Sequence, residues 1–219
     1  MVNFAEQRTL MVDNQLRTND ITDLRIIGAM GKVPREKFVP ENLRELAYID
    51  EDVVVDEKGE RKMLKPHIFG RLVQLADITD KDVVLVVGAA SGYGVAVISY
   101  LAESVVGLEA DVALSEAASA NLEQLGIENA AVIDGDLTKG YAADAPYDVI
   151  LVNGSVEVLP EALTAQLKDG GRLVVVEGES NAGVARCYTR SGDNVSSVFA
   201  FNAHAGALPG FEKPEVFEF

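Results

Sequence analysis

The sequence predicts an α/β fold, a mostly parallel central sheet with helices on both faces, preceded by a helical elaboration at the N-terminus. Three observations carry that expectation. From Asp82 onward, short apolar runs rich in β-branched residues alternate with segments of helical spacing, the order that produces crossover-linked parallel strands. The first run, Val83-Val84-Leu85-Val86-Val87, contains no polar residue, as in a strand covered on both faces. A glycine-rich turn, Gly88-Ala89-Ala90-Ser91-Gly92-Tyr93-Gly94, follows it directly.

The elements follow in chain order. Met11, Leu16, Leu24, Ile27 and Met30 are spaced for amphipathic helices, interrupted by the turn-prone Thr18-Asn19-Asp20. Pro34 and Pro40 bracket a short helical turn. Residues 50–60 are acidic around Val53-Val54-Val55, which predicts a short strand and an exposed loop. Pro66 suits the first turn of a helix carrying Ile68, Leu72 and Leu75. Strand 83–87 is followed by a helix over 93–103, a strand over 105–108 and a helix over 111–125 closed by Gly126. Strands are expected over 130–133 and 148–152, a helix over 160–167, and a strand over 172–176 after Gly170-Gly171. Residues 184–189 and 195–201 read as two closing strands, with an irregular tail beyond. The expected division is an N-terminal helical segment, 1–60, packed on a main domain, 61–219.

Composition narrows the function. With 219 residues and 48% hydrophobic content, the chain has enough apolar surface for a core without staples. Its 35 acidic and 19 basic residues leave a net charge of −16, which repels phosphate backbones and anionic bilayers, so neither nucleic acid nor membrane is an expected partner. Cys187 is the single cysteine and fits a reducing compartment, the cytoplasm. His67 and His204 stand apart, and no metal site is expected. Residues 83–102 carry no charge, but Gly88, Ser91, Gly92 and Gly94 divide them, which reads as strand, loop and helix rather than a membrane span.

Ligands of parallel sheets bind at the carboxyl ends of the strands. The Gly88–Gly94 turn lies there, where small residues let a ligand approach the backbone. After the second strand comes Glu109, whose carboxylate is suited to accept both hydroxyls of a ribose. Gly135-Asp136-Leu137 follows the third, with Asp136 placed for an adenine amino group beside an apolar wall. Each feature also has a plain reading: strand-to-helix packing for the glycines, a helix-start acid for Glu109 and turn chemistry for Asp136. Together they fit a nucleoside-bearing cofactor without specifying which. The spacing of Gly88, Gly92 and Gly94 also matches NAD-dependent short-chain dehydrogenases, but those need a Tyr-x-x-x-Lys pair, and none of the six tyrosines has a lysine four positions later.

Several longer runs are more specific. Met11-Val12-Asp13-Asn14-Gln15-Leu16-Arg17, Ile21-Thr22-Asp23, Val33-Pro34-Arg35-Glu36-Lys37-Phe38-Val39-Pro40 and Leu46-Ala47-Tyr48 resemble the opening of bacterial protein-L-isoaspartate O-methyltransferases. Ala145-Pro146-Tyr147-Asp148-Val149-Ile150 and the run from Gln166 through Gly170-Gly171 to Val174 are similar to the same family. The resemblance implies a Rossmann-like class I methyltransferase fold, with S-adenosylmethionine (SAM) as donor and S-adenosylhomocysteine as product. It places Gly88, Ala90, Ser91, Gly92, Glu109, Asp136, Leu137 and Asn153 at the cofactor, and it implies repair of damaged protein by methylation of an L-isoaspartyl carboxylate. That nucleophile is already ionised at neutral pH, so alignment rather than a strong base is required, and no catalytic residue is assigned.

The chain departs from the family at three places. Leu64, in Lys62-Met63-Leu64-Lys65-Pro66, stands where the family's Thr-Ile-Ser-x-Pro has its serine. Val86 replaces an acidic residue, and Ala90 replaces the second glycine of the loop. Lys62, Lys65 and the backbone near Asn153-Gly154-Ser155 are alternative donors to a carboxylate. The leading expectation is a SAM-dependent methyltransferase that methylates isoaspartyl peptides poorly. A catalytically silent binding module on the same fold is the alternative, and the dehydrogenase is a distant third.

Overall fold

A computed structural model describes residues 2–178 and 182–213. The N-terminal part of the predicted irregular tail is described and residues 214–219 of it lie outside.

The N-terminal elaboration comprises α1 (Phe4–Met11) and α2 (Leu24–Lys32), joined by tighter and wider turns over 12–19. Asp23 caps α2 by accepting from the Arg25 N–H at 2.8 Å, satisfying one of the free donors of the first turn. Ile26, Ile27, Ala29 and Met30 bury one face of α2. Leu24, expected on that face, is instead exposed, because it opens the helix on the solvent side of the stripe. Strands β1 (Val53–Val54) and β2 (Lys62–Met63) form a two-pair antiparallel hairpin. Helix α3 (Pro66–Ala76) then starts on its proline and buries Ile68, Phe69, Leu72 and Val73.

The main sheet has the order β5-β4-β3-β6-β7-β8-β9. Strands β3 (Val83–Val87), β4 (Ser104–Glu109), β5 (Ala130–Asp134), β6 (Tyr147–Val156) and β7 (Leu167–Glu177) are parallel. Strands β8 (Val184–Ser191) and β9 (Asn194–Asn202) close the edge as an antiparallel hairpin. Helices α4 (Tyr93–Ile98), α5 (Val112–Gln124) and α6 (Glu161–Thr164) lie between the parallel strands. Because β3 pairs with β4 on one side and β6 on the other, the chain's direction of winding reverses there, and a crevice opens at the carboxyl ends of these strands.

Two helices are shorter than the sequence pattern predicts. α4 ends at Ile98 because the following turn binds elsewhere: the Ser99 hydroxyl donates back to the Ala96 carbonyl, and the Asn129 amide donates to the carbonyls of Ser99 and Ala102. α6 ends early because Leu167 already pairs with Tyr147 in the sheet. Strand β6 runs past its expected end through Asn153-Gly154-Ser155, since Ser155 finds partners in the returning tail. The Ser155 N–H donates to the Gly206 carbonyl at 2.8 Å, and the Leu208 N–H donates to the Ser155 carbonyl at 2.9 Å. Residues 203–211 thereby form a strap laid along the carboxyl end of β6.

Side chains alternate across the sheet. Val84, Val86, Val149 and Leu151 join a core that includes Met11, Leu16, Ile27, Met30 and Phe69. Leu85, Val87, Ile150 and Val152 face the opposite core, with Leu163, Leu208 and Phe211. No helix among the described residues is long and apolar enough to cross a membrane.

Candidate cofactor site

The glycine turn adopts backbone conformations that explain its composition. Gly88 and Gly92 have φ of +81° and +94°, and Ala90 has +50°, the left-handed region that glycine enters without cost. Ala90 occupies it because its N–H is held, donating to Glu109 Oε2 at 2.6 Å. The Asn153 amide donates to the Gly88 carbonyl at 3.0 Å, tying the end of β6 to the turn. Ala90 is thereby joined to Glu109, and Gly88 to Asn153, at the carboxyl ends of β3, β4 and β6, while Gly92 packs against Ala118 of α5.

Glu109 ends β4 with its side chain fully buried. Oε1 accepts from the N–H groups of Ala110 and Asp111 at 2.9 and 3.2 Å. Oε2 accepts from Ala90 and also from Arg61 Nη2, the latter at 2.7 Å. Arg61 is itself 7% exposed and reaches in from the hairpin of β1 and β2. Over Gly88 lies Leu208 of the strap: a Cβ at Gly88 would stand 2.8 Å from Leu208 Cδ2 and 3.4 Å from Arg61 Nη2. At Gly154 the same test meets Leu208 Cγ at 2.6 Å.

Asp136 and Leu137 stand apart from this cluster in role. The Asp136 carboxylate accepts from the Thr138 N–H and hydroxyl and pairs with Lys139 at 3.0 Å. The Thr138 hydroxyl, then Lys139, hold its carboxyl below the usual range. Leu137 is buried.

On the other side of the turn, Leu64 is buried beside Tyr93. Its carbonyl accepts from Arg35 Nη2 at 2.5 Å, and the Arg35 guanidinium lies 4.8 Å from the Tyr93 ring centre. Burial pushes the Tyr93 phenol up, with Arg35 pulling it the other way. Phe38 and Phe69 flank the same ring at 5.6 and 5.7 Å. Lys65 lies 3.9 Å from Glu51, and His67 Nδ1 lies 2.6 Å from Asp50.

The space left inside is small. A cavity of about 10 Å³, lined by Met63, Leu64, Ala90, Ser91, Tyr93 and Asn153 among others, has room for about one water molecule. The backbone and donor set suit a nucleoside, and in this arrangement Arg61 and Leu208 lie across it. Both oxygens of Glu109 are used, and the bare faces of Gly88 and Gly154 are covered.

The model of the Protein-L-isoaspartate(D-aspartate) O-methyltransferase family matches residues 6–202. The chain belongs to the protein-L-isoaspartate O-methyltransferase family. It is 42% identical over 168 residues to the family's enzyme from Rhodopseudomonas palustris, covering 77% of this chain and 76% of that protein. It is 40% identical over 170 residues to one from Protochlamydia amoebophila, covering 78% and 80%. A solved protein-L-isoaspartate O-methyltransferase superposes with a TM-score of 0.80 at 27% identity, over 93% of this chain and 66% of that one. A Plasmodium falciparum structure solved with S-adenosyl-L-homocysteine superposes at 0.77 and 22% identity, over 95% and 99%, and shares the fold. The family is one of SAM-dependent methyltransferases acting on damaged protein.

Arg61 and Leu208 were not legible as site residues. Arg61 lies in a charged loop beside Lys58 and Lys62, where a cation reads as solvated, and Leu208 lies in a tail without periodicity.

Proposed function

We propose that this chain carries the reaction of its family, methylation by SAM of a carboxylate in damaged protein, with Gly88, Ala90, Ser91, Gly92, Glu109, Asp136, Leu137 and Asn153 as the cofactor residues. The observation that carries the reading is the convergence of the glycine turn, Glu109 and Asn153 on one crevice at the switch between β3 and β6. The acceptor is an L-isoaspartyl carboxylate or a related protein carboxylate, already ionised at neutral pH. We propose the cytoplasm as compartment, since the lone Cys187 needs no oxidising environment, and an N-terminal segment, 1–60, joined to a main domain, 61–219, within the β1–β2 hairpin, whose pairs bridge the two.

Leu64 sets the expected rate. A carboxylate entering a closed site loses its water and must regain hydrogen bonds, and a leucine side chain donates none. The loss of one transition-state donor commonly costs about 10²–10³ in rate. The test is transfer of labelled methyl groups from SAM to an isoaspartyl peptide, run on the parent and on Leu64→Ser. The parent is expected to turn over slowly and the serine variant faster. Absence of methyl transfer from both, and from a variant opened at Arg61, overturns the reading.

A further inference from the structure

The chain fills its own cofactor crevice, and it does so with the chemistry a cofactor would bring. Arg61 supplies Glu109 with a hydrogen-bond donor at 2.7 Å, where a ribose would supply hydroxyls. Leu208 supplies apolar cover to Gly88 and Gly154, the positions that a ligand would approach most closely. The two closing groups come from separate segments that meet at a seam. The hairpin bearing Arg61 has only two paired positions, Val53 with Met63 and Val54 with Lys62, extended by the Val55 N–H donating to the Arg61 carbonyl at 2.9 Å. A hairpin of that size is marginal by itself. Its tip, residues 57–60, is exposed. Outside the seam lies a groove of about 400 Å³ lined by Gly59, Arg61, Lys62, Gly206, Leu208 and Pro209, among others.

We propose that this molecule is self-occluded: Arg61 and Leu208 hold the cofactor crevice shut, and SAM enters only when the β1–β2 hairpin and the 203–211 strap part along that groove. The proposal rests on the assignment of Glu109 and the Gly88 turn as cofactor residues. Arg61 and the cofactor compete for the same carboxylate, so the apparent dissociation constant is the intrinsic one divided by the open fraction. An open fraction of about 1% weakens apparent binding about a hundredfold. The hairpin, with two paired positions, is the less anchored half. The strap is anchored by three bonds to Ser155: its N–H to Gly206, its hydroxyl to Ala205 and its carbonyl from Leu208.

The experiment is calorimetric titration of the full chain with SAM and S-adenosylhomocysteine, on the parent, Arg61→Gln and Leu208→Ala, each shown to be folded by circular dichroism. Leu208→Ala leaves the ion pair intact, so the test survives if Arg61→Gln does not fold. Binding to either folded variant should be about tenfold tighter than to the parent, or more. A second readout needs no variant. Arg61 is buried and poorly placed for trypsin, and saturating S-adenosylhomocysteine should expose the bond after it to cleavage. Equal, tight binding by parent and variants, with that bond still protected, overturns self-occlusion and leaves the proposed function standing. Absence of binding by every folded variant overturns self-occlusion and the cofactor assignment together.

Discussion

Glu109 accepts four hydrogen bonds, from Arg61 and from the N–H groups of Ala90, Ala110 and Asp111. A carboxylate in a ribose position is expected to be removable at the expense of ligand affinity alone. Here it also holds a buried guanidinium and the left-handed Ala90 in place. Breaking a buried ion pair from one side typically costs about 3–5 kcal/mol, because the remaining charge is stranded. Glu109→Ala should therefore lower the unfolding free energy by roughly that amount. Adding Arg61→Ala should restore part of the loss, as a urea double-mutant cycle would measure. Additive losses would show that the two groups do not depend on each other. The glycines and Glu109 announce themselves by type and by position after a strand. Arg61 meets Glu109 across 48 positions, and no local pattern encodes so distant a pairing.

Elements were more legible, because strand runs and helix periods are local. The exceptions lie where a distant side chain ends an element, as Asn129 does beyond α4. The link from β7 to the turn between α3 and β3 shows the same dependence on long-range contacts. Arg172, on β7, donates through Nε to the Ala76 carbonyl at 2.6 Å and through Nη2 to Asp82 at 2.7 Å, and it also bonds the Asp77 carbonyl. Asp82 in turn accepts from the Thr79 N–H at 2.9 Å and from its hydroxyl at 3.0 Å. Burial alone would raise the Asp82 carboxyl, but the Thr79 N–H and Arg172 outweigh it and hold it below its ordinary value. A group depressed in the folded state contributes stability above its unfolded pKa, about 3.9, and loses it as pH falls through the folded value. Asp82→Asn should thus be less stable than the parent at pH 7, by about 1.5–3 kcal/mol for hydrogen bonds to a charged group. The gap should close as the pH is lowered below about 4. Urea midpoints measured from pH 7 to pH 3 check this, and a gap independent of pH would assign the loss to packing.

At the scale of the whole molecule, the sheet carries one core on each face, and both ends of the chain contribute. Met30, from the N-terminal elaboration, is fully buried with Val84 and Val86 of β3. Phe211, from the strap, is 2% exposed with Leu85 and Val87 of the same strand. Since neighbouring residues of one strand serve both cores, neither face can lose its packing without disturbing the other. The N-terminal helices are short, and isolated helices of that length are marginal in water, so their order depends on this docking. Unfolding should therefore be a single transition, with calorimetric and van't Hoff enthalpies equal. Met30→Ala should cost about 2–5 kcal/mol and Phe211→Ala about 3–5, each moving the whole transition by roughly 2–4 °C per kcal/mol. The chain has no tryptophan, so far-UV circular dichroism and tyrosine emission are the probes to compare with calorimetry. If Met30→Ala splits off a separate low-temperature step while Phe211→Ala shifts only the main one, the N-terminal segment is an independent unit. If both variants shift one common transition, the strap that closes the crevice and the helices that begin the chain belong to the same cooperative structure. Loosening the strap at Leu208 would then carry a measurable cost in global stability.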